Sequence, residues 1–271
     1  MGVTTKAVIL ARGLGSRMRR VDGDARLDAE QARVADAGMK AMIPIGRPFL
    51  DHAMSALADA GIRDVCLVIG PEHDAIREYY ASIPLARVRV MFAVQPVANG
   101  TAGAVAAAES FAGGDAVLVM NGDNYYSVAA CTALAQVGAS GVVGFDLNGL
   151  VTRSNIPEER VRLFALLQQD DAGMLTGIVE KPDAATYAAL VNSSMVSMNL
   201  WSFSPAIYEA CRRTQPSVRG ELELQDAVRI AMSELSERFR VVPSTDGVLD
   251  LSSRGDIASV AAVLAHRAVS L

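Results

Sequence analysis

The sequence predicts an α/β fold with a mixed, mainly parallel sheet flanked by helices. Two observations carry that expectation. Through the first half of the chain, short apolar runs alternate with helix-compatible segments, the pattern left by strands buried on both faces. Two of those runs are followed by polar, glycine-containing loops, Ala11–Arg17 and Asn121-Gly122-Asp123. Open α/β sheets bind ligands beyond the carboxyl ends of their strands, where both loops would lie.

The elements follow in order. Lys6–Leu10 reads as a short apolar strand, and Ala41–Ile45 as a second extended piece. Pro48–Ala60 has the spacing of an amphipathic helix stopped by Gly61. Strands are expected at Val65–Ile69, Val88–Val94 and Ala116–Met120, with helices at Glu72–Ser82 and Ala102–Phe111 between them. Beyond these, strands are expected near Gly141–Phe145, Arg160–Leu167, Leu175–Val179, Val196–Phe203 and Phe239–Pro243. Helices are expected around Pro205–Arg212, Leu222–Ser233 and Arg254–Ala268. The stretch Arg19–Met39 is charged and alanine-rich, with Asp28 as a helix N-cap and Gly38 as its stop. It reads either as a solvated surface helix or as a lid over a phosphate site.

Bulk composition narrows the function. The chain has 271 residues, 51% hydrophobic and 20% charged, which is a globular balance with enough length for a real core. Its 25 basic and 30 acidic side chains leave a net charge of −5, so no basic excess favours a nucleic acid. No segment reaches membrane-spanning length, and the N-terminal apolar run is too short for a secretion signal. Cys66, Cys131 and Cys211 lie far apart in apolar runs, which suits reduced core residues of a cytoplasmic protein rather than a disulfide framework or metal site.

The strongest chemical signal is Leu10-Ala11-Arg12-Gly13-Leu14-Gly15-Ser16-Arg17-Met18. Backbone N–H groups of a glycine loop can cradle phosphate oxygens, and an arginine adds a fork of donors matched to them. By itself a G-x-G pair is as well explained by a tight strand-to-helix turn. The loop resembles the L-x-x-G-x-G-[TS]-R-[ML] signature of the sugar-1-phosphate nucleotidyltransferases. Further segments resemble that family in its own order. Lys40-Ala41-Met42-Ile43-Pro44-Ile45 is similar to K-P-M-x-P-[VI], and Gly46-Arg47-Pro48-Phe49-Leu50 to G-x-P-[LI]-[IL]. Gln95 with Gly100-Thr101-Ala102-Gly103-Ala104 is similar to its base-recognition stretch. Asn121-Gly122-Asp123 matches its metal-binding G-D, Glu180-Lys181-Pro182 its E-K-P, and Val248-Leu249-Asp250-Leu251 its late W-x-D-[IT] element.

The resemblance implies a Rossmann-like, glycosyltransferase-A-like fold over a single domain, 1–271. A nucleotide-binding half (about 1–150) would precede a sugar-phosphate-binding half (about 151–271). It implies Mg²⁺ as cofactor, and a nucleoside triphosphate and a sugar 1-phosphate as partners, joined with release of pyrophosphate. Arg17 would hold the triphosphate and Lys40 the α-phosphoryl group or the sugar phosphate. Asp123 would serve catalysis and, with Asp250, ligate the metal. Leu10, Ala11, Arg12, Gly13, Leu14, Gly15, Ser16 and Gly122 would line the nucleotide site, with Gln95, Gly100 and Thr101 reading the base. Glu180 would hold sugar hydroxyls, Lys181 the sugar phosphate, and Asn199 would line the sugar pocket. Because a phosphate monoester is already largely dianionic near neutral pH, such a reaction needs charge neutralisation and in-line positioning rather than a general base. The scattered His52, His73 and His266 are consistent with that.

Each residue has a structural alternative. Asp123 could shape a turn, Asp250 could cap one, and Lys181, Arg19 and Arg20 could simply be solvated. Gln95 and Asn199 could satisfy backbone groups. Glu221-Leu222-Glu223-Leu224-Gln225-Asp226 resembles the family's E-x-E-[IL]-x-D element, and also reads as acids gathered at a helix start.

The chain departs from the family at Arg12, where a small residue is usual, at Ala41, where proline is usual, and in the length of the Arg17–Lys40 connection. Uridylyl or thymidylyl transfer is the first expectation and guanylyl transfer the next. Cytidylyl transfer to an alcohol phosphate and a non-catalytic sensor of nucleotide-sugars are the alternatives. Glycosyl transfer ranks last, since Asp123-Asn124-Tyr125 is not a D-x-D motif. The resemblance leaves room for a homo-oligomer, although no residue pattern marks a symmetric interface.

Overall fold

A computed structural model describes residues 2–271. Nine strands form its central sheet. In chain order they are β1 (Lys6–Leu10), β2 (Asp64–Ile69), β3 (Arg89–Val94), β4 (Val117–Asn121), β5 (Gly141–Phe145), β6 (Leu166–Gln169), β7 (Leu175–Val179), β8 (Met195–Phe203) and β9 (Arg240–Ser244). The order across the sheet is β7-β6-β8-β4-β1-β2-β3, with β5 on the other edge of β8 and β9 beyond β5. Every strand except β7 and β8 runs in the same sense, so the sheet is mixed and mainly parallel. The β2 segment and the Val117–Met120 part of β4 are buried throughout, as apolar runs in a sheet covered on both faces must be.

Several elements differ from their predicted form for identifiable reasons. Ala41–Ile45 is not one strand: Lys40–Met42 makes a 3₁₀ turn, and Pro44–Ile45 forms a two-residue hairpin with Arg47–Pro48. The helix Phe49–Asp59 is not amphipathic, since every residue from Phe49 to Ala58 is buried. It lies between two apolar clusters, with Leu50, Met54 and Leu57 in one and Phe49 and Ala56 in the other. Ala102–Phe111 is broken at Ala108 into two helices. Arg160 belongs to no strand. It lies on a one-turn helix, Glu158–Val161, begun by Pro157 and two acids that suit a helix start, and the strand starts only at Leu166. The helices Val128–Ala135, Leu147–Arg153 and Ala184–Leu190 were not anticipated, although Ser127, Asp146 and Asp183 each cap one through a side-chain oxygen.

The Arg19–Met39 stretch contains the expected helix, Ala29–Ala37. The Asp28 carboxylate accepts from the Gln31 N–H, while the Gln31 side chain accepts from the Asp28 N–H. Its lid role is corrected. Val34 and Ala35 are buried against Met18, Ile43 and the C-terminal Ile257, Val260 and Leu264. Arg254 donates to the Met18 carbonyl at 2.9 Å and pairs with Asp36, fastening the segment to the helix Asp256–Leu264. No residue from Met18 to Met39 lines the cleft described below. Cys66, Cys131 and Cys211 are free and buried, as expected of core residues.

Burial also sets a pH dependence. His52 is buried, its Nε2 lies 3.0 Å from the Ile45 carbonyl and its Nδ1 has no partner. Burial pushes its pKa below the ordinary histidine value. The unfolded chain therefore takes up the proton first, and stability present above about pH 6.5 is lost as pH falls toward the native value. Melting temperatures measured from pH 8 to pH 5 should fall less steeply for His52→Gln than for the parent. Parallel curves would refute the assignment.

Candidate active site

The site lies where the carboxyl ends of β1, β2, β3 and β4 open into loops. Backbone bonds continue beyond the strands: Ala11 N–H donates to Val68 O, Gln95 N–H to Ile69 O and Gly122 N–H to Leu10 O, at 2.9–3.0 Å. These bonds hold the glycine loop, the Gln95 loop and the Asn121-Gly122-Asp123 turn side by side.

Two chambers meet there. The first, about 390 Å³, is lined by Leu10, Ala11, Arg12, Gly13, Leu14, Gly15, Ser16 and Arg17. Lys40, Gln95, Gly100, Thr101, Gly122, Asp123 and Glu221 complete much of its wall. The second, about 290 Å³, is lined by Asp123, Asp250, Lys181 and Asn199, together with Arg160, Phe164 and Ser197. Arg17, Asn121 and Asp123 belong to both. Glu180 is exposed and lies outside the lining of either chamber.

The shared wall carries the charges. Lys40 Nζ pairs with Asp123 Oδ2. Arg17 is exposed and has no ion-pair partner among the described residues, so its guanidinium is open to an anion. Asp250 stands beside Asp123 although far from it in sequence. A two-residue antiparallel bridge pairs Leu249–Asp250 with Asn124–Tyr125, and Leu251 N–H donates to the Asp123 carbonyl at 2.8 Å. Asn155 closes on the Asp250 backbone from the other side, its Oδ1 accepting from Asp250 N–H at 2.8 Å and its Nδ2 donating to Asp250 O at 2.9 Å. Burial, with the Asp123 charge alongside, pushes the Asp250 carboxyl above its usual range. Paired carboxylates of this kind suit a hard divalent cation, which takes one or two carboxylates and completes its shell with waters and substrate phosphates.

The wall of the first chamber is more committed to structure than the sequence indicates. Gln95 is buried, and its Nε2 donates at 2.9 Å to both Asn99 Oδ1 and the Gly100 carbonyl, leaving Oε1 as its free group. The Thr101 hydroxyl accepts from Leu224 N–H at 3.0 Å and so ties the loop to the start of the helix Leu224–Glu234. Arg12 turns its guanidinium toward Glu72, 3.6 Å away, and its Nε and Nη1 are enclosed without a hydrogen-bond partner. It thus forms part of the chamber wall, with Glu72 as its ion-pair partner.

In the second chamber two non-glycine residues adopt left-handed backbone, Lys181 at φ 42° and Asn199 at φ 58°. Such conformations cost energy and persist where surrounding contacts enforce them, commonly at functional sites. Asn199 sits where the β8 register shifts between Ser197 and Trp201, and a bulge of this type re-aims a side chain. Its Oδ1 accepts from Gln225 Nε2 at 3.1 Å and Trp201 Nε1 at 3.4 Å. Arg160, Asn155 and Ser252 were missed by sequence reasoning. Arg160 pairs with Asp250, and Ser252 Oγ donates to Asp250 Oδ1 at 2.7 Å. No local motif marks these three, because each acts through a residue about ninety positions away or through a turn.

Comparison with known proteins identifies the family and the fold. The profile of the family described as nucleotidyl transferase matches residues 6–251. A glucose-1-phosphate thymidylyltransferase of Streptomyces griseus is 29% identical over 83% of the chain. The chain spans little more than half the length of that protein, 56%. A UTP–glucose-1-phosphate uridylyltransferase of Haloferax volcanii is 27% identical, over 82% of this chain and 82% of its own. A UDP-glucose pyrophosphorylase crystallised with UDP-glucose superposes with a TM-score of 0.73 at 16% identity. That superposition covers 96% of this chain and 97% of the other, which establishes the shared fold. The ordered motifs, the paired chambers and the family match agree, and the chain belongs to the nucleotidyl transferase family.

Proposed function

We propose that the chain transfers a nucleotidyl group from a nucleoside triphosphate to a sugar 1-phosphate, releasing pyrophosphate. The observation that carries this reading is the pair of chambers sharing Arg17, Asn121 and Asp123 as a common wall. A reaction between two phosphorylated substrates needs such a meeting point, and one substrate would need only one chamber.

The nucleotide occupies the first chamber. Its base rests against Ala11 and Gly13, and the Gln95 Oε1 accepts from an imide N–H, which uracil and thymine both present. UTP or dTTP is therefore favoured, with GTP next, and the thymidylyl and uridylyl relatives support a pyrimidine. Arg17 holds the β- and γ-phosphates and stabilises the leaving pyrophosphate. Lys40 neutralises the α-phosphoryl group. The sugar 1-phosphate enters the second chamber, where Lys181 meets its phosphate and Asn199 lines the sugar pocket, and Glu180, the chain neighbour of Lys181, holds its hydroxyls. A phosphate oxygen attacks the α-phosphorus in line with departure of pyrophosphate. Positioning and charge neutralisation supply the acceleration, with no proton transfer required. A magnesium ion held by Asp123 and Asp250 would neutralise charge on the transferring phosphoryl oxygens.

Pyrophosphate release measured with UTP, dTTP, GTP, CTP and ATP against a panel of sugar 1-phosphates tests the reading. Turnover with one pair, dependent on added Mg²⁺, is the expected result. Nucleotide-sugar binding without turnover on any pair would instead favour a sensor.

A further inference from the structure

We propose that Arg160 exchanges partners during the catalytic cycle. It neutralises Asp250 until a divalent cation takes that carboxylate, and then anchors the phosphate of the sugar 1-phosphate. The inference rests on the reading of the two chambers given above.

The hydrogen bonds around Asp250 define the exchange. Its Oδ1 accepts from Ser252 Oγ at 2.7 Å, and its Oδ2 is held by Arg160 Nη2. Both carboxylate oxygens are therefore occupied, and a cation shared with Asp123 meets Arg160 as the charged competitor for Asp250. An arginine and a divalent cation repel each other at such separations, so binding of one weakens binding of the other. Arg160 also has a second anchor. Its Nη1 lies 3.4 Å from Asp256 Oδ1. Asp256 itself is immobilised, because its Oδ2 accepts from Ser252 N–H, Ser253 N–H and Ser253 Oγ at 2.7–3.1 Å. When Asp250 turns to a cation, Arg160 stays tethered by Asp256 with part of its donor fork released.

The released fork lies in the right place. Arg160 lines the second chamber with Lys181 and Asn199, and its side chain remains 24% exposed there. A guanidinium presents donors in a plane that matches phosphate oxygens two at a time, which a lysine cannot do. The two events are then linked: a cation on Asp250 frees Arg160 for phosphate, and phosphate on Arg160 frees Asp250 for the cation. By reciprocity each ligand strengthens the other.

The test compares the parent with Arg160→Gln and Arg160→Lys. Mn²⁺ binding is measured calorimetrically at pH 8 in the absence of substrates, and steady-state constants with the substrate pair that turns over. The exchange predicts effects of opposite sign. Arg160→Gln should bind Mn²⁺ roughly fivefold more tightly, the size expected for losing one partly exposed competing ion pair. Its KM for the sugar 1-phosphate should rise about tenfold or more, as when one good charge-assisted contact is lost, with the nucleotide KM little changed. Arg160→Lys should fall between the two on both measures, and serves if the glutamine variant is unstable. A purely structural arginine would lower the melting temperature without tightening Mn²⁺ binding. Unchanged or weaker Mn²⁺ binding in a folded variant, or an unchanged sugar-phosphate KM, would overturn the proposal. If the parent turns over no substrate pair, the transferase reading fails instead, and the Mn²⁺ comparison still decides the competition at Asp250.

Discussion

Replacing Asp123 by asparagine is expected to lower pyrophosphate release by about three orders of magnitude, the scale of removing one charged contributor to transition-state stabilisation. Asp123 is the acidic side chain common to both chambers. Asparagine keeps its size and its backbone, whose carbonyl accepts from Leu251 N–H at 2.8 Å, so the Asp250 bridge should survive. Two things change. The negative charge that would help hold a cation at the α-phosphoryl group is gone, and Lys40 loses the carboxylate that orients it. Stability should hardly move, since a partly exposed ion pair contributes about 0–1 kcal/mol. The measurement is kcat and KM by pyrophosphate detection beside a thermal melt. Loss of kcat with an unchanged melt is the expected outcome, and activity within tenfold of the parent would remove Asp123 from the mechanism.

The second large effect should come from Gly100→Ala. Gly100 has φ 112° and ψ 176°, a backbone region that side chains with a Cβ adopt only at a cost of about 1–3 kcal/mol. An added Cβ would also lie 2.5 Å from the backbone N and O of Leu222, which real Cβ atoms do not approach. Those same Leu222 groups tie the Gln95 loop down: Leu222 N–H donates to Asn99 O at 2.7 Å, and Ala102 N–H donates to Leu222 O at 2.9 Å. The strain and the broken strap together should cost about 3 kcal/mol or more, a fall in melting temperature of roughly 6–12 °C for a protein of this size. Nucleotide binding should weaken as well, because the Gly100 carbonyl holds Gln95 Nε2. Gly46→Ala is the control. Gly46 has φ 71°, yet an added Cβ meets nothing within 4 Å, so strain alone should act, at about 1 kcal/mol. Equal effects in the two variants would mean that the contact with Leu222 is unimportant.

Much of the frame is legible in the amino-acid sequence. The strands of the central sheet other than β6 lie within a residue or two of their predicted limits, most clearly β1, β2, β4, β5 and β8, where a largely buried strand needs a near-continuous apolar run. The Asp28–Gly38 helix boundaries were readable for a similar reason, since caps are chosen by atoms within three or four residues. The same capping signals stand at Ser127, Asp146 and Asp183, before helices too short for an apolar period to mark them.

The sequence by itself therefore determined the fold class, the loops that follow the strand ends, and the residue types gathered there. The glycine loop, Asp123 and the Gln95-to-Thr101 stretch line one chamber because each directly follows its own strand or lies one loop beyond it. Tertiary structure decided what no local pattern encodes. It packed the Arg19–Met39 segment against the C-terminal helix instead of over the cleft, since Val34 and Ala35 need apolar partners that only distant chain supplies. It placed Asp250 beside Asp123 through a bridge of two residues, and it set Arg160, on a helix read as strand, across from both Asp250 and Asp256. Ion pairs and short bridges of this kind join residues far apart in the chain, and their geometry exists only after the sheet has brought its ends together.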